Sequence, residues 1–164
     1  MVRVRVVGVA LDSSGQHVIL LGPHDEAPAA SRVLPIWIGE QEATSIFVAV
    51  EGAATPRPLA HDLMKSMLEA LEASVERVEV TRIDGGTYYA EITLATSAGV
   101  RTIDARPSDA VALAARTGSP LFVADAVFDE AGLPAEVAGV VDEEARLEEF
   151  KRFLDDVDPE DFRE

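Results

Sequence analysis

The sequence predicts an α+β fold: a large, mostly antiparallel sheet with about three packed helices and a C-terminal acidic helix. Three observations predict it. Strand-like stretches occur in blocks and do not alternate regularly with helical stretches. Three of them follow one another through the turn sequences DGG and TSAG. The chain has 164 residues, 48% of them hydrophobic, which is enough for one core of ordinary size.

The first strands form a predicted hairpin. In MVRVRVVGVA, valines alternate with arginines, which is the period-two pattern of a strand with one buried face. The turn-like DSSG separates this stretch from the apolar HVILLG, so strands over 2–11 and 16–22 should pair. PHDEAPAASR predicts an exposed loop, and RVLPIWIG predicts a buried strand whose proline favours an edge or irregular position.

Two helical patterns follow. Apolar residues recur at helical spacing in GEQEATSIFVAVEG, with acids in the first turn and Gly52 as the stop. RPLAHDLMKSMLEALEAS is a clearer helix, with a proline in its first turn. Its apolar stripe comprises Leu59, Leu63, Met67 and Leu71, widened by Met64 and Leu68.

The rest of the chain predicts a meander, a third helix and a tail. SVERVEVTRIDGGTYYAEITLATSAGVRTIDAR gives three antiparallel strands, PSDAVALAART gives a helix that stops at Gly118, and SPLFVADAVFD returns to a strand. An acidic helix with one apolar stripe is predicted from Leu147, Phe150, Leu154 and Val157. We therefore divide the chain into a domain over 1–135 and an acidic helical tail over 136–164.

Composition excludes several classes of function. A formal charge of −16 argues against coating nucleic acid by bulk electrostatics, and residues outside the acidic 142–164 segment are acidic too, so any phosphate site must be local. The absence of cysteine excludes disulfides, thiolate zinc sites and cysteine nucleophiles. No signal-peptide pattern is present, and no apolar run approaches the roughly 20 residues that cross a bilayer. We expect a cytoplasmic protein without membrane contact.

Arg57 and Arg106 each stand immediately before a helix-entrance proline. A helix start exposes unpaired N–H groups and the positive end of the dipole, and a planar guanidinium suits phosphate oxygens. The alternative is structural. Ser108 and Asp109 are residue types that cap a helix, and Arg106 could pair with Asp104 or Asp109. Spacing alone leaves both interpretations open.

His61 and Asp62 raise the same choice at the second helix. His61 could be a general base, a metal ligand or a phosphate contact, but adjacent helical residues do not face each other, so it should not pair with Asp62. It lies off the apolar stripe, which favours a solvated histidine. Trp37, Tyr88 and Tyr89 could stack bases, although we expect Trp37 in the core.

A metal site would need convergent carboxylates. Asp104 and Asp109 flank Arg106, whereas the remaining acids are scattered over separate elements. The sequence contains none of HExxH, a P-loop, GxGxxG, GxSxG or a two-His-one-carboxylate spacing. No organic cofactor is predicted.

Four segments occur in a recognisable order: LPIWIGEQEATSI, RPLAHDLM, the DGGTYYAEI hairpin, and IDARPSDAVALAAR followed by PLFV. Over residues 2–132 the chain resembles the bifunctional nuclease family, also known as a conserved bacterial domain of unknown function. The resemblance implies an α+β domain, self-association as a homo-oligomer, most simply a dimer, and nuclease activity on DNA and RNA. It carries over the motif positions Glu42, Arg57, His61, Asp62, Asp104, Arg106, Ser108 and Asp109.

The first hypothesis is phosphodiester hydrolysis with nucleic acid as the substrate. Its candidates are Arg57, Arg106 and Ser108 for phosphate, His61, Asp62, Asp104 and Asp109 for catalysis, and Asp104, Asp109 and Glu42 as ligands of magnesium or manganese. The second is a non-catalytic module that binds a small anionic ligand or a partner protein. In the third, the Arg-Pro junctions only cap helices and the tail mediates assembly. Both functional hypotheses assume that the two arginines share one pocket.

Overall fold

The computed structural model describes residues 1–26 and 32–138, together with Arg152. Within these residues one sheet has the strand order β6-β5-β4-β7-β1-β2-β3-β8, and only the β4–β7 pairing is parallel. The strands are β1 (Val2–Leu11), β2 (His17–Pro23), β3 (Arg32–Ile38), β4 (Ser74–Asp84), β5 (Thr87–Thr96), β6 (Gly99–Ala105), β7 (Leu121–Val123) and β8 (Leu133–Pro134). The helices are α1 (Glu40–Glu51), α2 (Ala60–Ala70), α3 (Pro107–Thr117) and α4 (Asp125–Ala131). The predicted α+β class is confirmed.

The main core lies between the helices and one face of the sheet. Its fully buried members include Ile19, Leu21, Leu34, Ile46, Val78, Val80, Val111 and Val123. A smaller cluster of Val18, Leu20, Val33 and Ala135 covers the opposite face near β2 and β3. Because successive strand residues point to opposite faces, β2 is buried on both sides, which explains its continuous apolar run.

The proline of β3, Pro35, lies in the edge position that the sequence predicts. β8 pairs with β3 only at Arg32 and Val33, so β3 is an edge strand from Leu34 onward among the described residues. Trp37, in contrast, is not in the core. It is 51% exposed, and its indole N–H donates to Asp12 at 3.0 Å.

The strand predicted over SPLFVADAVFD ends early. β7 covers only three residues, inserted between β4 and β1, and α4 follows. The Ala124 carbonyl accepts N–H groups from Val127 and Phe128, at 3.0 and 3.1 Å, and both side chains are buried. An acid in the first turn also favours the helix. The strand prediction for 124–129 was therefore wrong.

The helix α2 turns its apolar stripe outward. Leu63 and Met67 are 55% and 56% exposed, and Leu71 beyond the helix is more exposed still. The opposite face carries His61, which is only 5% exposed, and Leu68, which packs against the core. The expectation of a solvated His61 was wrong, because α2 packs with its His61 face toward α1 and α3.

The predicted acidic tail helix lies outside the described residues, apart from Arg152. Within the described ranges, no helix has both the length and the apolar character needed to cross a membrane.

Candidate functional site

Residues of three helices meet at His61. Its Nδ1 atom shares a hydrogen bond of 2.6 Å with the hydroxyl of Ser45 on α1, and its Nε2 atom one of 2.9 Å with a carboxylate oxygen of Asp109 on α3. An ionised Asp109 can only accept, so Nε2 carries a hydrogen, and a neutral ring accepts the Ser45 hydrogen at Nδ1. Both ring nitrogens are thus engaged. His61 connects α1, α2 and α3 from a buried position.

The second oxygen of Asp109 binds Arg106, the residue that precedes α3. The Arg106 Nε donates to Asp109 at 2.8 Å, and its Nη2 donates to Glu42 on α1 at 3.2 Å. The Arg106 side chain is 68% exposed, whereas both carboxylates are mostly buried. The result is a continuous polar network through Ser45, His61, Asp109, Arg106 and Glu42.

Charge in this network is stabilised by its hydrogen bonds. Burial by itself would raise the pKa of Asp109, but hydrogen bonds from Arg106 and His61 outweigh burial and lower it. The hydrogen bond to Asp109 in turn raises the pKa of Arg106, with a smaller contribution from Glu42. Asp109 and Arg106 are therefore both charged at neutral pH.

Arg106 also borders an open groove of about 690 Å³. The groove lies among the end of β3, the β4–β5 turn and the start of α3, and Trp37, Tyr88 and Ser108 line it together with Arg106. Tyr88 donates its hydroxyl to the Pro35 carbonyl at 3.1 Å, which fixes its ring. The groove thus joins an exposed indole to an exposed guanidinium.

Asp62 belongs to a different part of the surface. Its Oδ1 accepts a hydrogen bond of 2.7 Å from Nε of Arg116, and its Oδ2 accepts the Leu59 N–H at 2.8 Å. Burial would raise the pKa of Asp62, but these hydrogen bonds lower it overall. Its contacts point away from His61, as expected for adjacent helical residues.

Arg57 lies with Asp62 and Arg116 on a pocket of about 440 Å³. Arg106 does not line this pocket, and Arg57 does not line the groove. These two cavities therefore place the arginines of the two Arg-Pro junctions at separate sites.

Asp104 makes none of these contacts. It is exposed on β6, opposite Glu91 of β5, whereas Ala105 is opposite the fully buried Ala90. Side chains alternate between faces along a strand, so Asp104 points to the face away from the helices.

The candidate metal ligands come together only in part. Glu42 and Asp109 converge, but on Arg106, and no group of three His, Asp or Glu side chains suited to a metal occurs within residues 1–26 and 32–138. Carboxylate oxygens match the preference of magnesium, which often uses one or two carboxylates plus substrate phosphate. Glu42 and Asp109 fit a metal chemically, provided that Arg106 moves aside.

Two residues of these sites did not stand out in the sequence, and a third was a stacking candidate that we expected in the core. Ser45 is a small polar residue inside a helix, and nothing local marks it as the partner of His61. Arg116 lies in the last turn of α3, where a basic residue is expected simply because it complements the helix dipole. Its position in the sequence therefore does not indicate a binding role. Trp37 looked like a core residue because it lies within an apolar strand.

Comparison with known proteins agrees with the motifs. The model of the bifunctional nuclease domain matches residues 20–136. Uncharacterised proteins of two Mycobacterium tuberculosis strains, CDC 1551 / Oshkosh and H37Rv, are 40% identical over 99% of both chains. A rice protein (Oryza sativa subsp. japonica) named bifunctional nuclease 2 is 28% identical over 68% of this chain and 34% of its own length. The chain belongs to the bifunctional nuclease domain family.

Proposed function

We propose that this protein is a nuclease that hydrolyses phosphodiester bonds in DNA, RNA or both at the groove lined by Trp37 and Arg106. One observation carries the proposal: an exposed guanidinium, bound to two carboxylates, borders the same groove as an exposed indole. Family membership and the name of the rice relative support it.

Binding uses Arg106 for phosphate and Trp37 for a base. A guanidinium presents paired N–H donors that match phosphate oxygens, and an indole face stacks on any base. Ser108 in the first turn of α3 lines the same groove, and the start of a helix favours an anion. Such a local site suits a chain of charge −16, which cannot attract nucleic acid by a broad basic patch.

In the proposed chemistry, the substrate phosphate competes with Glu42 and Asp109 for the guanidinium of Arg106. A bound phosphodiester displaces Glu42 and Asp109 from the guanidinium, which then stabilises the charge that develops on phosphate oxygens. The carboxylate of Glu42, released and partly exposed, accepts a proton from the attacking water. As the water oxygen bonds to phosphorus, the P–O bond to the leaving oxygen breaks, and that oxygen takes a proton from solvent. His61 is a positioning residue, because its two hydrogen bonds hold Asp109 and Ser45. The mechanism assigns no step to Asp62 or Asp104.

Magnesium or manganese enters the proposal as a cofactor that Asp109 and one oxygen of Glu42 would hold beside the phosphate, with the second Glu42 oxygen left to accept the proton. When bound, it would neutralise charge on the phosphate oxygens. Its contribution is measured by comparing cleavage in the presence of either cation with cleavage in a chelator.

The test is cleavage of an end-labelled single-stranded oligonucleotide. Arg106→Ala should lower the rate at least about 100-fold, since one donor to a developing oxyanion is worth that much. Arg101→Ala, which removes an exposed arginine from β6, should cleave at the wild-type rate. The thermal midpoint of Arg101→Ala should stay near that of the wild type. That of Arg106→Ala should fall by a few degrees at most, because Arg106 is largely exposed although it pairs with Glu42 and Asp109.

Two outcomes would contradict the proposal. Undiminished cleavage by Arg106→Ala, purified in the same way, would assign the activity to a contaminating nuclease. A joint loss of folding and cleavage in that variant would assign Arg106 to the structure of the helix start.

The proposal includes self-association and a cytoplasmic location. The absence of cysteine is compatible with a reducing compartment. A second copy of the chain is the expected occupant of the exposed α2 stripe. Among the described residues β6 is also an edge strand, which can pair with its own copy about a two-fold axis.

A further inference from the structure

The pocket that contains Arg57 is not explained by the nuclease proposal. It lies between the C-terminal end of α1, the loop that leads to α2, the first turns of α2 and the last turn of α3. Its volume of about 440 Å³ is within the range of small-molecule sites. Apolar residues and prolines form part of the wall, and two arginines form another part.

Arg116 is buried with one donor group unused. Its side chain is 5% exposed, its Nε donates to Asp62 at 2.7 Å and its Nη1 donates to the Ala112 carbonyl at 3.0 Å. Its Nη2 is buried and has no hydrogen-bond partner among the described residues. Buried N–H groups of a charged side chain normally have an acceptor, so this guanidinium lacks one.

Arg57 gives the pocket an excess of positive charge. Asp62 neutralises Arg116, and both its oxygens already accept hydrogen bonds. The guanidinium of Arg57 is exposed and has no hydrogen bond or ion pair with the described residues. In a chain of charge −16, an unneutralised arginine beside a buried one with a missing acceptor marks a local anion site.

We propose that this pocket binds a phosphate group between Arg57 and Arg116, at a site separate from the Arg106 groove. Phosphate oxygens would be the acceptors that the Arg116 Nη2 lacks, once this buried guanidinium turns toward the pocket that Arg116 lines, and Arg57 supplies the second guanidinium. The hydroxyl of Ser66, which also lines the pocket, is a further donor. Free phosphate and the 5′-phosphate of a nucleotide share this chemistry. The inference does not depend on nuclease activity.

Isothermal titration of the full chain tests this site, with inorganic phosphate and adenosine monophosphate as separate probes at constant ionic strength. In Arg106→Ala, in which the groove lacks its phosphate contact, either probe should still bind with one site per chain. Arg57→Ala should weaken binding by about tenfold or more, the effect of losing one charge-assisted contact. Arg101→Ala makes the same change in net charge and should bind like the wild type.

The two probes distinguish the sources of the phosphate. If inorganic phosphate binds, the free ion is sufficient to occupy the site. If only the nucleotide binds, contacts of the rest of the nucleotide with the apolar wall supply part of the affinity. Arg116→Lys, checked for an unchanged thermal midpoint, should also bind more weakly because it loses the Nη2 donors.

Three results would overturn the inference: no binding of either probe by the wild type at millimolar concentration, wild-type affinity in Arg57→Ala, or loss of binding in Arg106→Ala with retention in Arg57→Ala. The last would place the phosphate in the groove and leave the nuclease proposal intact.

Discussion

At the residue scale, His61 shows how burial decides a role. The side chain that the sequence marks as a solvated histidine lies in a buried network and joins Ser45 to Asp109. A ring with both nitrogens engaged holds its neighbours in position. It cannot reach a substrate in the groove without breaking one of these hydrogen bonds.

Asp109 should make the stability of the protein depend on acid pH. Its pKa in the folded protein is lowered below the ordinary value of 3.8, because Arg106 and His61 bind the carboxylate despite its burial. A carboxyl group whose pKa is lower in the folded than in the unfolded protein stabilises the fold at pH values above its unfolded pKa. This stabilisation is lost as the pH falls through the pKa of the folded state. The free energy of unfolding in urea should therefore fall in the wild type from about pH 4 downward.

Asp109→Asn provides the comparison. The variant should have a lower free energy of unfolding than the wild type at pH 7. The difference between the two free energies should become smaller as the pH falls below 4. A difference that stays constant from pH 7 to pH 3 would show that the Asp109 carboxylate is not stabilised in its charged form.

At the scale of elements, the ends of the helices follow sequence signals closely. α1 and α3 both end at glycines with positive φ, 64° at Gly52 and 68° at Gly118, as the stops in the sequence predict. α3 begins at Pro107, in agreement with the preference for proline in the first turn. These signals act through local backbone geometry, so they can be recognised without a tertiary structure.

Gly118→Ala should destabilise the protein by about 1 kcal/mol, because an alanine is strained in the left-handed conformation. Space is not the cause, since a Cβ at Gly118 would have no atom within 4 Å. Thermal unfolding of Gly118→Asn is the matched control. Asparagine tolerates this conformation, so its midpoint should lie between those of alanine and glycine. Equal midpoints for all three would show that backbone strain is absent.

Helical periodicity could not predict which face of α2 packs against the rest of the protein. The stripe of Leu63 and Met67 was correctly recognised as one face, but the face that packs inside is the one with His61 and Leu68. Periodicity identifies which residues share a face and not what that face contacts. α4 was missed for a related reason, since its buried pair Val127 and Phe128 also fits a short strand.

At the scale of the whole molecule, the exposed apolar stripe of α2 has a consequence for assembly. Leu63, Met67 and Leu71 form a continuous exposed row, and Val100 and Ile103 on the edge strand β6 are exposed as well. Monomeric proteins rarely leave so many large apolar side chains in contact with water. We expect these residues to be covered by a second copy of the chain.

The wild type should run as a dimer and the double variant Leu63→Glu, Met67→Glu as a monomer, because charges are costly in an apolar interface. Light scattering after size-exclusion chromatography measures the mass of each. Ser14→Glu, which adds a charge in an exposed turn, should leave the dimer intact. A wild type that is monomeric at high micromolar concentration would contradict the proposed dimer.

The sequence by itself determined the fold class, most strand and helix positions, the local nature of any phosphate site and the motif residues that identify the family. These properties depend on alternation, turn residues and helix caps, which act over a few neighbouring residues. Only the tertiary structure decided that Glu42 and Asp109 meet at Arg106, that His61 is buried, and that Arg57 lies beside Arg116 in another pocket. The Arg106–Asp109 pair is local, but the contacts of His61 with Ser45 and Asp109 and of Arg106 with Glu42 join residues between 16 and 64 positions apart. Their geometry depends on how α1, α2 and α3 pack together, which no local pattern specifies.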